Sequence, residues 1–418
     1  MAGKLNVLKA FNCPSCGASQ QLRASGFTTT YVCTSCGVTI DTSGEKYAVL
    51  RAASQNNLCS TYQLLPLGLR GTFSDGEFEI IGFMVRSSQC GMYYWSEYLL
   101  FNPYKGFRWL MEMDDHWNFV RMVKERPGSA GDSTIRYSGM KFKRFLRDAP
   151  RVRAVVGEFY WQVKVEDTVN SVDYIAPPFG LSCEVDDDEI VWSTLEYLTS
   201  REVREAFNLD SPLPGSSGIS PTQPNPCRYT GSYVAIGSAM LAVLIFFKVV
   251  LLSKNHQTVV VPQTSYAHST TDTDKVKRTE VFDIPEYGNL KVSVDAPVNN
   301  NWISVDVDLV NAQTQETTSR AVEVSYYHGV DSDGSWSEGS TREHEIFGAV
   351  PPGSYFLALE ASSDSTLPAI NYTVKASYNV AYFGNFAAAF FLILAIPVLV
   401  FARSIHFESR RWQDSDQG

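Results

Sequence analysis

Residues 233–252 read YVAIGSAMLAVLIFFKVVLL, and residues 380–402 read VAYFGNFAAAFFLILAIPVLVFA. At a rise of about 1.5 Å per residue, some 20 helical residues extend about 30 Å, the depth of a bilayer's hydrocarbon layer. The first stretch carries one charge, Lys248, and the second carries none. A buried helix of a soluble domain usually keeps a polar stripe, and neither stretch has one. Two membrane-spanning helices are therefore expected, over 231–253 and 380–402, with buried core helices as the alternative. Lys248 lies one turn from the end of its stretch, where a long side chain can lift its ammonium to the interface; it reads as an anchor. Gly384 and Pro397 are tolerable in a membrane helix, where neighbours satisfy freed backbone groups.

Two spans place both flanks on one side of the bilayer. Three features put that side in the cytoplasm. The start, MAGKLNVLKAFNCPSC, lacks the apolar run of a secretory signal. Arg403, Arg410 and Arg411 follow the second span, whereas the loop between the spans offers only Lys254 and Lys375 near the membrane. All eight cysteines precede the first span, as suits a reducing compartment.

Cys13-Pro-Ser-Cys16-Gly and Cys33-Thr-Ser-Cys36-Gly form a C-x2-C pair of knuckles. Two intervening residues let each pair hold one ion from a tight turn, and Gly17 and Gly37 allow positive φ where the chain curls around its sulfurs. The expectation is a zinc ribbon over residues 1–50, with Cys13, Cys16, Cys33 and Cys36 binding Zn2+ tetrahedrally. Four thiolates leave no position for water, so the site is structural. A rubredoxin-like iron site, disulfides and coincidence are the competing readings. Only Lys4, Lys9, Arg23 and Lys46 are basic in this region, and the chain's formal net charge is -10. That balance disfavours nucleic acid and favours protein contact.

The chain is 44% hydrophobic and 19% charged, which excludes pervasive disorder, and its 13% aromatic content favours strands over an all-helical fold. From Leu64 onward short strand-like runs alternate with turn signals such as Ser74-Asp75-Gly76 and Asn102-Pro103. An antiparallel aromatic β-rich domain is expected over 60–209, closed by a short helix at Arg201–Asn208. Residues 210–230, rich in proline, glycine and serine, read as a semi-extended linker that holds the domain off the bilayer.

The segments LGLRGTFSDGEFEIIGF, WSEYLLFNPYKGFRWLMEMDDHWNFV, VVGEFYWQVKVEDTV and PPFGLSCEVDDDEIVWSTLEYLT resemble the bacterial family catalogued as domain of unknown function 4178, over about Tyr62 to Leu209. Members often pair this domain with an N-terminal zinc ribbon and C-terminal membrane spans. The resemblance implies that layout and a bacterial source, and it implies no reaction.

Candidate polar residues of this domain are Glu97, Arg108, His116, Glu158 and Glu184. Two carboxylates flanking a cleft could serve as acid and base. Against this, strand alternation alone would place Glu97 and Glu158 on the surface, and the Asp114-Asp115-His116 turn reads as solvated. The aromatic group of Tyr93, Tyr94, Trp95, Trp109, Trp117, Tyr160 and Trp161 reads as core, with a ligand groove as the alternative. Cys59, Cys90, Cys183 and Cys227 share no ligand spacing.

Between the spans, residues 255–379 hold seven Lys or Arg against seventeen Asp or Glu, an excess equal to that of the whole chain. Short alternating runs predict a β-sandwich. In one of them Ile303, Val305, Val307 and Leu309 face one way, and Asp306 and Asp308 the other. Asp331-Ser-Asp333-Gly334 resembles the start of a calcium loop without its terminal glutamate. His328, Glu338, His344 and Glu345 lie near it. A short cytoplasmic tail, 403–418, completes the chain.

The fold class expected is thus mainly β: a zinc ribbon, an antiparallel β-rich domain, and a transmembrane helical hairpin enclosing a β-sandwich. The expected function is a membrane-anchored binding or scaffold protein of a bacterial inner membrane, with catalysis uncertain and disfavoured. Its partners would be the lipid bilayer and membrane or cytoplasmic proteins. The alternative is an enzyme using paired glutamates of the β-domain.

Overall fold

Apolar residues at every second position shape the first half of the chain. Phe83 and Val85, Tyr98 and Leu100, Leu110, and Trp117 and Phe119 lie buried on strands Gly76–Ser87, Tyr94–Asn102, Gly106–Met113 and His116–Val123. These strands pair antiparallel in succession. Helix Ser200–Ala206 adds Val203, and Phe207 follows it into the same core. The helix is nucleated by a capping box in which Thr199 and Glu202 satisfy each other's backbone N–H. Each such apolar side chain contributes about 1.5–3 kcal/mol by leaving water.

The computed structural model describes residues 8–44, 46–52, 57–129, 133–186, 189–254, 256–269, 271, 275–364, 369–381 and 383–416. They divide into two compact units, residues 1–231 with 398–418, and residues 232–397. The architecture is mainly antiparallel β, as the patterning predicts.

In the first unit the four strands above belong to one long sheet. Beyond His116–Val123 it continues through Ile190–Leu198, Phe179–Val185, Asn170–Ala176 and Met140–Asp148. Beyond Gly76–Ser87 it continues through Arg151–Phe159. The sheet curls. Arg86 of Gly76–Ser87 meets Glu184 of Phe179–Val185 at 2.6 Å, although four strands separate them in the ladder. In a flat sheet at about 4.8 Å per strand they would stand some 24 Å apart.

The ribbon is part of this sheet. Its strand Thr30–Val32 pairs with Gly157–Phe159 of strand Arg151–Phe159, and Thr39–Asp41 and Val49–Arg51 extend the ladder outward. On its other side Gly157 faces Gly82. A Cβ on Gly82 would stand 2.3 Å from the Glu158 carbonyl oxygen, and one on Gly157, whose φ is +91°, 2.4 Å from that of Ile81. Only glycine fits this crossing.

The second unit holds the expected β-sandwich. Thr258–Ser269, Ala369–Tyr378, Gly288–Asp295 and Arg342–Val350 form one sheet, and Val276–Arg278, Gly353–Ser363, Asn301–Asn311, Thr317–Asp331 and Gly334–Ser340 the other, with Phe282–Ile284 also paired to Gly353–Ser363. Ile303, Val305, Val307 and Leu309 are buried between them with Val292, Val294, Leu357 and Val374, while Asp306 is exposed, in keeping with the alternation. The Asp331 to Gly334 stretch is a hairpin turn in which Asp331 Oδ1 accepts from Asp333 N–H. Helix Thr230–Lys254 and helix Gly384–Trp412 are both long and apolar enough to cross a membrane, and their apolar windows are 6% and 0% buried. That exposure disfavours the core-helix alternative, because a core helix is mostly buried.

Two expectations need correction. The semi-extended linker expected over 210–230 does not stand clear of the domain: Ser217 N donates to Asp114 O, and Thr222 Oγ1 to Asn118 Oδ1, so the segment is laid along the β-domain. The short tail expected over 403–418 is largely helical. The helix continues ten residues past Ala402, to Trp412, and Arg411 is only 2% exposed. Its guanidinium donates to the carbonyls of Ser220 and Pro221 and to Glu408. Proline cannot donate from its own nitrogen; Nη1 of Arg411 bonds the carbonyls on either side of the Ser220–Pro221 link, of which Ser220 O also accepts from Gln223 N–H.

Candidate functional site

Each cysteine knuckle is built the same way. Gly17 N–H donates to Cys13 O and Cys13 N–H to Ala18 O; Gly37 N–H donates to Cys33 O and Cys33 N–H to Val38 O. Gly17 and Gly37 adopt φ of +75° and +73°, so both glycines act as their positions predict. The knuckles hang from the hairpin Lys9–Asn12 with Ser19–Leu22, and from Thr30–Val32 with Thr39–Asp41. Between them sits a small core of Phe11, Leu22, Tyr31, Val38 and Ile40.

The hairpins bring all four expected ligands together: their sulfurs lie within 4.8 Å of one another. Cys13 and Cys36 sulfurs are 3.8 Å apart, as are those of Cys16 and Cys33. A disulfide would require about 2.05 Å. A tetrahedron with metal–sulfur bonds of about 2.3 Å has edges of about 3.8 Å, so the donor set fits a tetrahedral ion. Burial opposes ionisation of Cys13, but the N–H groups of Cys16 and Ser15 outweigh it and bring that thiol to about 7. Burial pushes Cys36 up to about 12. Among the described residues these four cysteines are the one group placed to hold a metal; Lys4 lies outside those residues. His328 of the sandwich bonds Asn299 instead.

The candidate carboxylates separate into two sets. Glu158 is fully buried, contrary to its expected surface position. Its carboxylate accepts from Arg23 N–H at 2.6 Å, Ala24 N–H at 2.9 Å and Thr28 Oγ1 at 2.7 Å. All three donors belong to the ribbon's connecting loop, so Glu158 fastens ribbon to sheet. Burial raises its pKa against the pull of these donors.

Glu97 and Glu184 are brought together. Both bond Arg86 Nη1, at 3.4 and 2.6 Å, and Trp95 Nε1 donates to Glu97 at 2.7 Å. Burial raises Glu97, and it lifts nearby Asp173 to about 6 even though the Ser182 hydroxyl donates to it. One buried guanidinium thus anchors two carboxylates, with a third close by. Sequence reading missed Arg86 and Asp173. The available signal was a single basic residue in an otherwise buried strand, which requires a partner of opposite charge.

The other candidates are engaged elsewhere. Arg108 pairs with Asp75 at 2.9 Å. His116 is 3% exposed, which corrects the solvated reading. Its Nε2 donates to Ser217 O at 3.0 Å and its Nδ1 accepts from the Tyr197 hydroxyl at 2.9 Å. Trp117 is core, while Trp109 packs on Trp161 at 5.7 Å and Phe107 on Tyr160 at 4.5 Å. Cys183 is buried, Cys90 exposed, and Cys59 and Cys227 intermediate.

Residues 66–200 match the family DUF4178, described as a domain of unknown function. No curated protein matches the chain. Among solved structures, the Gt strain of infectious bursal disease virus aligns at 10% identity and a TM-score of 0.19, over 85% of this chain and 65% of that one. The chain thus spans slightly under two thirds of that structure. The CBM22-1-GH10 modules of a Clostridium thermocellum xylanase align at 11% identity and a TM-score of 0.16, over 30% of this chain and 26% of theirs.

Proposed function

We propose that the chain is a membrane-anchored scaffold. A zinc-loaded ribbon and the β-domain form one protein-binding body in the bacterial cytoplasm, and the acidic sandwich faces the envelope. Zn2+ is favoured by four thiolates at tetrahedral spacing, which saturate the ion and leave it structural. The single observation that carries the binding reading is the locking of Glu158 by three ribbon donors. A carboxylate so occupied is a fastener rather than an acid or base. It supports a rigid body suited to presenting a surface.

Both termini are assigned to the cytoplasm because Arg403, Arg410 and Arg411 lie at the far end of the second helix, beyond its apolar run. In-cell crosslinking from each face, followed by identification of neighbours, tests the scaffold. Reproducible protein partners that are lost when the ribbon cysteines are replaced support it.

The enzyme reading retains one favourable observation, the pair Glu97 and Glu184 on Arg86. Glu97→Gln and Glu184→Gln should leave scaffold partners bound. Loss of a ligand-dependent melting shift in these variants would turn the assignment toward catalysis. Binding to nucleic acid, with affinity falling steeply in salt, would overturn both.

A further inference from the structure

The two long helices of the second unit border a groove. At its sandwich end the groove holds ≈ 580 Å³ and is lined by Lys248, Asn289 and Asn385 together with Leu244 and Phe247. Leu244 and Phe247 also line a second stretch of ≈ 410 Å³, whose other walls are Ala239, Met240, Val243 and Ile393. The two stretches therefore adjoin through shared walls, one partly polar and the other apolar.

The one charged residue in these linings is a cation. Lys248 Nζ lies 4.4 Å from the Phe383 ring and 5.7 Å from that of Phe386, which holds the charge at the groove's mouth. From Lys248 to Ala239 the helix descends about 13 Å, most of the depth of one leaflet. Further along, Gly237 has no room for a Cβ, which would stand 2.7 Å from Pro397. The two helices are in close contact there, beyond the residues that line the groove. A charge at the interface above a greasy track of leaflet depth matches one chemistry, an amphiphile with an anionic head.

We propose that this groove holds a phospholipid of net negative charge, its phosphate at Lys248 and one acyl chain along Leu244, Met240 and Ile393. The assignment rests on the membrane-spanning reading of the two helices. It makes the two helices and the sandwich a lipid-recognising unit rather than a plain anchor.

The test uses the full chain reconstituted in bilayers of equal phosphatidylglycerol and phosphatidylcholine, gently extracted, with retained lipids counted by native mass spectrometry. One lysine near the surface corresponds to about a fivefold preference for the anionic lipid. Lys248→Gln should bring that preference close to one, and Lys248→Arg should restore it, which separates loss of charge from misfolding. Ala239→Phe, which fills the apolar track, should lower retention of both lipids. Equal retention by the unaltered chain, or a preference that survives Lys248→Gln, overturns the proposal. So does a photo-crosslinker at Val243 that joins two copies of the chain instead of labelling lipid. Ultracentrifugation of a detergent-free lysate separates the two levels of failure. A chain left in the supernatant overturns the spanning reading and this one together, whereas a pelleted chain without lipid preference overturns this one alone.

Discussion

Arg411 Nη1 donates to the Pro221 carbonyl oxygen at 2.6 Å, across 190 residues of chain. The same guanidinium pairs with Glu408 at 3.0 Å, and Asn225 Nδ2 reaches Glu408 at 2.8 Å. At the next residue, Trp412 packs against Phe145 at 5.6 Å and under Lys143 Nζ at 4.6 Å, and Asp416 accepts from Arg147 N–H. The end of an apolar helix is thus fastened to the β-domain and the 210–230 segment by a tilted aromatic contact, the Asn225–Glu408 hydrogen bond and two carbonyls.

Arg411→Ala leaves the Ser220 and Pro221 carbonyls and the Glu408 carboxylate without their cation. The expected cost to this local docking is about 3 kcal/mol. Amide hydrogen exchange over 217–227 should accelerate by some two orders of magnitude while exchange in the sandwich stays unchanged. Arg411→Lys should recover only part of the protection, because an ammonium cannot reproduce the planar fork.

Glu158→Ala strands the N–H groups of Arg23 and Ala24 in a buried place, at a cost of about 2–4 kcal/mol. Glu158→Gln keeps one accepting oxygen and should lose less. Thermal melting of both variants measures the difference. Equal and negligible losses would show that the ribbon is not fastened through this carboxylate.

Metal content should be about one ion per chain, and Cys16→Ser should abolish stoichiometric loading, because a ribbon with so small a core depends on its ion. Elemental analysis settles the count and the identity together. Chelation should expose residues 19–41 to proteolysis before the sandwich is attacked.

His116 gives the first unit an acid sensitivity. Burial lowers its pKa from the model-peptide value of 6.5, against the effects of Ser217 and Gly218 carbonyls and of Asp114 and Asp115. A depressed histidine contributes stability that is present above its unfolded pKa and is lost as pH falls through the folded one. Stability of the 210–230 segment should therefore decline as the pH drops below about 6.5. His116→Gln, which cannot be protonated, should flatten that decline when segment protection is followed by hydrogen exchange.

Much of this fold is legible in the sequence, because its signals are local. Cysteine spacing with Gly17 and Gly37 specifies the knuckles, and alternation in Ile303, Val305, Val307 and Leu309 specifies a sandwich strand. Two uninterrupted apolar runs specify the long helices. What escapes is long-range pairing. Alternation puts Glu158 on the outer face of its strand, and only the ribbon's arrival over that face buries it. Arg411 lies in a polar stretch that looks solvated, and its partners are carbonyls, which have no residue-type signature. Prolines in 210–230 forbid regular structure, yet they do not forbid docking. Arg86 was visible as a lone charge among buried neighbours, but its partners Glu97 and Glu184 meet it only after the sheet curls.

Strand Arg151–Phe159 would end the main sheet if the ribbon's Thr30–Val32 did not lie beside it. Stripped of that neighbour, Gly157 to Phe159 would offer bare amides and carbonyls to any extended chain nearby, the usual template for clumping. An ion bound by the four sulfurs would therefore act at a distance as a lid on stickiness. Scarcity of such an ion would be felt first as insolubility of the whole polypeptide, well before any loss of its two long apolar helices.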